Sequence, residues 1–239
     1  MNMEIIYRPS GAAAEYAELA CNLYRGCTFG CRYCYGPAAT HRSKEAYFAA
    51  ADPKADALER LRRDAALCGG EREVLVSFIG DPYQPEAKLT RAALKILAAA
   101  GVPFTVLTKG GRLAERDLDV IATAGGRLGV SLVWCDDALR RRWEPGAAAV
   151  GERIDLLIKA HLAGIRTWVS LEPVIDAGQA LGVIGELGAI VDFWHIGKLN
   201  HLRAPQAIDW PDFMRRAGAM LEAAGADFRF KDSLTELAA

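Results

Sequence analysis

The chain has 239 residues, of which 51% are hydrophobic and 25% charged, with a formal net charge of −1. This composition reads as a folded soluble protein with a sizeable core, and the near-zero charge excludes a global basic field for nucleic acid while leaving room for a local patch. No apolar run reaches the ~20 residues of a membrane span, and the first ten residues, with Glu4, Arg8 and Pro9, hold no signal-peptide core.

Residues 1–19 read as an arm leading to a first strand at Leu19–Leu23. A dense stretch then runs from Asn22 to Pro37 and places Cys27, Cys31 and Cys34 in a C-x3-C-x2-C pattern. Thiolates this close reach one metal centre together, and Gly26 and Gly30 let the backbone wrap tightly around it. Structural zinc wants four protein ligands in spaced pairs, and no second pair follows. Iron–sulfur cubanes are also held by thiolates, and three cysteines would leave one iron open to a small molecule. Pro37 to Pro53 reads as a long polar connection, followed by a helix at Lys54–Leu67.

From there the chain alternates. Apolar runs of strand length fall at Val74–Ile79, Phe104–Leu107, Leu128–Trp134, Thr167–Leu171, Val191–Ile196 and, shorter, Phe228–Phe230. Helical spacing falls at Leu89–Ala100, Leu113–Ala124, Asp136–Arg142 with Ala149–Ala163, Gly178–Leu187 and Trp210–Ala224. Continuous apolar strands imply a parallel sheet buried on both faces, with helices as the crossovers. Six strand–helix units suit either an open β/α barrel or a doubly wound sheet. Neither an internal repeat nor a domain boundary is visible, so residues 1–239 read as one domain, with 1–19 as an arm and 225–239 as a tail. Six cysteines in an enzyme-sized chain read as metal ligands or free thiols rather than disulfides, in a reducing cytoplasm. Cys21, Cys68 and Cys135 stand apart and read as buried free thiols. Arg140, Arg141 and Arg142 read as a solvated helix face, or as a phosphate contact.

The phrase N-L-Y-R-G-C-T-F-G-C-R-Y-C-Y, with Tyr33 in the last cysteine spacing, resembles the signature of the radical S-adenosylmethionine enzymes, in particular their spore-photoproduct-lyase-like branch. Gly80-Asp81-Pro82-Tyr83-Gln84-Pro85, Leu107-Thr108-Lys109, Val130-Ser131-Leu132 and Ser170-Leu171-Glu172-Pro173 continue the likeness over about residues 7–235. The resemblance implies a partial (β/α)6 barrel with its site at the C-terminal strand ends. It implies a [4Fe-4S] cluster on Cys27, Cys31 and Cys34, with S-adenosylmethionine chelating the open iron. Tyr33 would pack on the adenine, the Gly80–Asp81 segment would receive the methionine ammonium, Lys109 its carboxylate, and Ser131 would contact the cofactor. Glu172, costly before Pro173 unless paired or used, would bond cofactor or substrate. Lys198 and Asn200 would line the substrate side, or a solvated rim, and His195 would point into the helix layer.

The implied chemistry is reductive cleavage of the sulfonium to a 5′-deoxyadenosyl radical that takes hydrogen from the substrate. A nucleobase or nucleic acid is one candidate substrate, a protein or small metabolite another, and a non-catalytic metal-binding module is the rival of a different class. An electron donor such as flavodoxin or ferredoxin is the implied partner, with no membrane involved. One departure stands out. The repair enzymes keep a hydrogen-returning cysteine on the second strand, where this chain has Phe78 and Ile79. Reversal of the thymine lesion is therefore not expected, and Tyr35, matching a tyrosine of those enzymes, is an alternative hydrogen donor.

Overall fold

The computed structural model describes residues 3–85, 87–200 and 207–237. Residues 201–206, just after Asn200, lie outside them. An arm carrying β1 (Ile6–Tyr7) and a 3-10 turn at Gly11–Ala13 leads to β2 (Leu19–Cys21). A two-stranded ribbon, β3 (Tyr24–Arg25) with β4 (Asp52–Pro53), brackets the cysteine loop and two short helices, α1 (Gly36–Ala39) and α2 (Lys44–Phe48). The alternation then runs α3 (Ala57–Cys68), β5 (Val74–Val76), α4 (Thr90–Ala99), β6 (Phe104–Thr108), a 3-10 segment at Gly111–Asp117 and α5 (Leu118–Thr123). It continues with β7 (Arg127–Ser131), α6 (Asp137–Trp143), α7 (Val150–Leu162), β8 (Arg166–Val174), α8 (Ala177–Leu187), β9 (Phe193–Lys198), α9 (Trp210–Ala224), β10 (Asp227–Phe230) and α10 (Asp232–Thr235).

The main sheet has the order β1-β2-β5-β6-β7-β8-β9-β10. Strand β1 is antiparallel to β2, and every other neighbour pair is parallel. The order follows the sequence without reversal, whereas a doubly wound sheet reverses at a switch point. This is therefore a barrel-type winding, and β1 and β10 remain as separate edges, so the barrel is open. Strand β10 is a full member, in register with β9 from Asp227↔Phe193 to Phe230↔Ile196.

Local chemistry sets the element ends. Asp136, Asp176 and Asp209 cap α6, α8 and α9 by accepting backbone N–H bonds. Helix α4 buries Ala93, Leu94 and Leu97, one stripe at helical spacing. Strand β5 stops at Val76 instead of Ile79 because Asn22 Oδ1 accepts the amides of both Phe78 and Ile79, each at 2.9 Å. Those two N–H groups are thereby withdrawn from the sheet ladder. The expected helix at Leu113–Ala124 winds as 3-10 through Asp117 before becoming α-helical. The stretch expected as a polar connection is folded, and its Tyr47 is fully buried.

Inside the barrel, register brings Leu107, Gly129 and Trp168 into one row. A Cβ on Gly129 would lie 2.1 Å from the Trp168 ring, so the missing side chain makes room for the indole. The indole N–H donates to Thr105 Oγ1 at 2.8 Å. No described helix is long and apolar enough to cross a membrane.

Candidate active site

The C-terminal strand ends open on a cavity of about 360 Å³. All twelve residues singled out from the sequence border it: Cys27, Cys31, Cys34, Tyr33, Tyr35, Gly80, Asp81, Lys109, Ser131, Glu172, Lys198 and Asn200. The chain meets there from six strand ends, the arm and the C-terminal segment.

The cysteine loop leaves β3 through Gly26, at φ +83°. A Cβ at Gly26 would fall 2.3 Å from the Ala50 carbonyl oxygen, and one at Gly80 (φ +87°) 2.8 Å from that of Gly26. Glycine at both positions lets the loop press against α2 and the β5 end. Burial pushes the Cys27 thiol up to about 12, with Asp81 adding to the effect, and burial also raises Cys31 and Cys34. Among the described residues no three His, Cys, Asp or Glu side chains converge tightly enough for a single metal ion. The three thiols instead share one wall of the cavity.

Behind that wall lies a buried ion pair that the sequence reading passed over. Arg153 Nη2 meets Glu144 Oε2 at 2.6 Å with both side chains fully buried. The Tyr33 hydroxyl donates to Glu144 Oε1. Arg153 Nη1 donates to the Ser131 carbonyl at 2.9 Å. One pair thus fixes Tyr33 on the loop and Ser131 on β7 together. The tyrosine hydroxyl is held well above its ordinary pKa, by burial and by the Glu144 carboxylate. Backbone bonds Arg32 N–H to Trp143 O and Gly146 N–H to Phe29 O tie the same two segments.

Asp81 is buried and accepts from Thr108 Oγ1 at 2.7 Å, Tyr83 N at 2.8 Å and Lys109 N at 2.6 Å. Its carboxylate therefore braces the end of β6 and aims Lys109. The Lys109 ammonium stands 5.8 Å from the Tyr33 ring centroid, next to the cysteine wall.

The other half of the cavity is built around Glu172. Tyr16 Oη donates to Glu172 Oε2 at 2.5 Å and pairs with Ser170 Oγ at 2.8 Å. Lys231 Nζ donates to Glu172 Oε2 at 3.0 Å and to the Ala12 carbonyl at 2.8 Å, and sits 4.6 Å from the Tyr16 ring centroid. A carboxylate that would be costly alone is thus paired. Phe78 lines the cavity with its ring edge-on to Tyr16 at 5.6 Å, whereas Ile79 packs beside the cysteine loop. Tyr35 is 43% exposed, and its hydroxyl donates to the Phe78 carbonyl at 3.3 Å.

Several sequence expectations are corrected here. His195 does not point into the helix layer. It is in register with Ser170 on the interior face, and its ring lies tilted against Tyr16 at 4.4 Å and edge-on to Trp168 at 5.5 Å. Arg140 is buried, donating to both carboxylate oxygens of Asp137 at 2.9 Å and to the Ala147 carbonyl at 3.1 Å, whereas Arg141 and Arg142 are exposed as a solvated face. Cys21 and Cys68 are buried free thiols, but Cys135 is exposed. Tyr16, Tyr47 and Lys231 also border the cavity without having been singled out. Lys109 came from the family resemblance; like it, Lys231 directly follows a strand.

Comparison with known proteins agrees with this architecture. An uncharacterized protein of Mycobacterium tuberculosis (strain H37Rv) is 32% identical over 202 residues, covering 76% of this chain and 58% of its own. The chain thus spans a little over half the length of those mycobacterial relatives. An uncharacterized protein of Methanocaldococcus jannaschii is 25% identical, covering 77% of this chain and 71% of its own. Among solved structures, a spore photoproduct lyase variant superposes with a TM-score of 0.73 at 12% identity, over 96% of this chain and 80% of that one. Streptococcus suis SuiB bound to S-adenosylmethionine superposes with a TM-score of 0.68 at 12% identity, over 89% and 49%. At such identity these two likenesses concern the fold. The profile of the radical SAM superfamily matches residues 21–179, from the strand that feeds the cysteine loop into the helix after Glu172, and the chain belongs to that superfamily.

Proposed function

We propose that this chain is an enzyme that binds a [4Fe-4S] cluster on Cys27, Cys31 and Cys34, cleaves S-adenosylmethionine reductively, and takes hydrogen from a nucleobase-bearing substrate. The observation that carries the reading is the shared cavity: three thiols without a fourth cysteine beside them, lining one pocket together with Lys109, Ser131 and Glu172 at the strand ends. A donor set of three thiols spread along a wall fits a multi-iron cluster better than a four-ligand zinc site. Bound there, cluster and cofactor supply one-electron cleavage of the sulfonium to a 5′-deoxyadenosyl radical.

The protein's own part is binding, orientation and exclusion of water. The buried thiols must give up their protons on taking metal. Lys109, aimed by Asp81, meets the cofactor carboxylate, the open backbone at Gly80 meets its ammonium, Ser131 adds a contact, and Tyr33 packs on the adenine. The arm residues Ala12, Ala13 and Tyr16, latched by Glu172 and Lys231, close the far side against solvent and stray hydrogen donors. The Phe78 ring there offers an apolar surface to a planar base. Lys198 and Asn200 hold its polar edge at the rim, and Tyr35, next to Cys34 in the chain, is the side chain proposed to return hydrogen. The whole of 1–239 acts as one domain in this reading, with flavodoxin or ferredoxin as the class of reductant.

The test is anaerobic reconstitution. About four irons per chain are expected, lost in the triple alanine variant of Cys27, Cys31 and Cys34, with slow 5′-deoxyadenosine release from dithionite-reduced protein. Stoichiometric zinc with no iron absorption would overturn the reading. Release that rises with nucleosides or oligonucleotides supports the base-bearing substrate. A rise only with peptides assigns the site to the other class.

A further inference from the structure

Tyr47 borders the cavity alongside the cysteines and is fully buried, packed in one apolar cluster with Cys27, Phe29 and Cys31. Its position is fixed from several sides. Its carbonyl accepts the Cys27 amide at 3.0 Å, and its ring packs edge-on against Phe48 at 5.3 Å. A Cβ on Gly36 would lie 2.3 Å from the Tyr47 hydroxyl oxygen, so the backbone beside Cys34 passes directly over that oxygen. No hydrogen bond of full geometry satisfies the hydroxyl among the described residues, although the Gly80 amide and the Cys34 sulfur lie close enough to act on it. A buried hydroxyl left unpaired costs stability, and phenylalanine would fill the same space without that cost. The polar groups around it are the Cys34 and Cys27 thiols and the Gly80 amide. Gly36 N–H already donates to Cys34 Sγ at 3.3 Å.

We propose that the Tyr47 hydroxyl donates a hydrogen bond to the Cys34 sulfur when that sulfur ligates the cluster, and that this bond raises the cluster's reduction potential. The inference rests on the cluster reading given above. A neutral thiol is a weak acceptor, whereas a metal-bound thiolate carries the negative charge a phenol seeks. Adding an electron increases the charge on the sulfurs, so a donor aimed at one of them stabilises the reduced state more than the oxidised one. Tyr47 is thereby a positioning and tuning residue: it touches a ligand sulfur and sets how readily the cluster accepts its electron.

The experiment uses the full chain, reconstituted anaerobically, as wild type, Tyr47→Phe and a form with 3-fluorotyrosine at position 47. Iron and sulfide content come first. A wild type that holds no cluster overturns the functional reading itself, separately from this inference. With clusters loaded, spectroelectrochemistry gives the midpoint potential, and electron–nuclear double resonance in H2O and D2O counts exchangeable protons coupled to the reduced cluster. Tyr47→Phe is expected to lower the potential and to lose one exchangeable coupling, while the coupling from the Gly36 amide stays. Fluorotyrosine keeps the shape and donates more strongly, so the potential is expected to rise, which tests the inference even if the phenylalanine variant loads poorly. Unchanged potential and unchanged couplings across the loaded forms would overturn it.

Discussion

Lys109 is the residue on which the cofactor reading is most directly tested. Removing a charge-assisted partner from a partly buried carboxylate costs roughly 1.5–3 kcal/mol. Lys109→Ala is therefore expected to weaken S-adenosylmethionine binding by roughly 10- to 150-fold, measured by equilibrium binding to the reconstituted protein, with iron content unchanged. Unchanged affinity would show that the ammonium serves something else. Lys109 was legible because Leu107-Thr108-Lys109 continues the family resemblance. Tyr16 was not, because nothing near it in sequence explains it. Its partner Glu172 is 156 residues away, and only the barrel brings the two together. Tyr47 was hidden for a related reason: its neighbourhood is polar in sequence, and the burial comes from the cysteine loop folding over it. Asp81 was legible as a site residue but not in its manner of acting, since three donors from two strand ends take up its carboxylate.

Between elements, the Glu144–Arg153 pair joins the α6–α7 connection to the cysteine loop and to β7. Glu144→Gln leaves a guanidinium buried without its counter-charge, which costs roughly 3–5 kcal/mol, seen as a lower midpoint in thermal or urea unfolding. Pairing that change with Arg153→Met is expected to be less damaging than the single changes summed, because the second removes the stranded charge. Gly129→Ala sets a methyl group against the Trp168 ring, and overpacking of this kind costs roughly 1–3 kcal/mol, again read as a lower unfolding midpoint. At this scale the sequence was a good guide. The alternation of apolar runs and helical spacing located every helix from α3 to α9, whereas the barrel winding came from the family resemblance, since periodicity alone left a doubly wound sheet open. It was poorer where side chains override the ladder, as Asn22 does at Phe78 and Ile79, and where β10, four half-exposed residues, reads too weakly to be counted as a full strand.

For the molecule as a whole, His195 gives stability a pH dependence. Burial first, then the charges of Lys231, Arg127 and Arg229, hold its folded pKa down to about 3 from the ordinary 6.5. Above pH 6.5 both folded and unfolded states leave it neutral, and it contributes nothing. Between 6.5 and about 3 the unfolded chain binds one proton more, so stability falls with falling pH at up to ~1.4 kcal/mol per pH unit from this group. His195→Phe is expected to flatten that part of the curve, measured by denaturant unfolding from pH 7 to pH 4. A slope unchanged by the substitution would place the titration elsewhere. The latch over Glu172 bears on the molecule's history as well as its stability. Lys231 follows Glu172 by 59 residues and Ala12 by 219. On a ribosome adding roughly 5–20 residues per second, the arm and the three cysteines emerge tens of seconds before the lysine that secures them. A nascent barrel therefore waits with Glu172 held by Tyr16 alone, without the cation that Lys231 brings. Iron and sulfide delivered during translation would meet a site still lacking Lys231, which reaches Glu172 and the Ala12 carbonyl only when the final parallel strand docks.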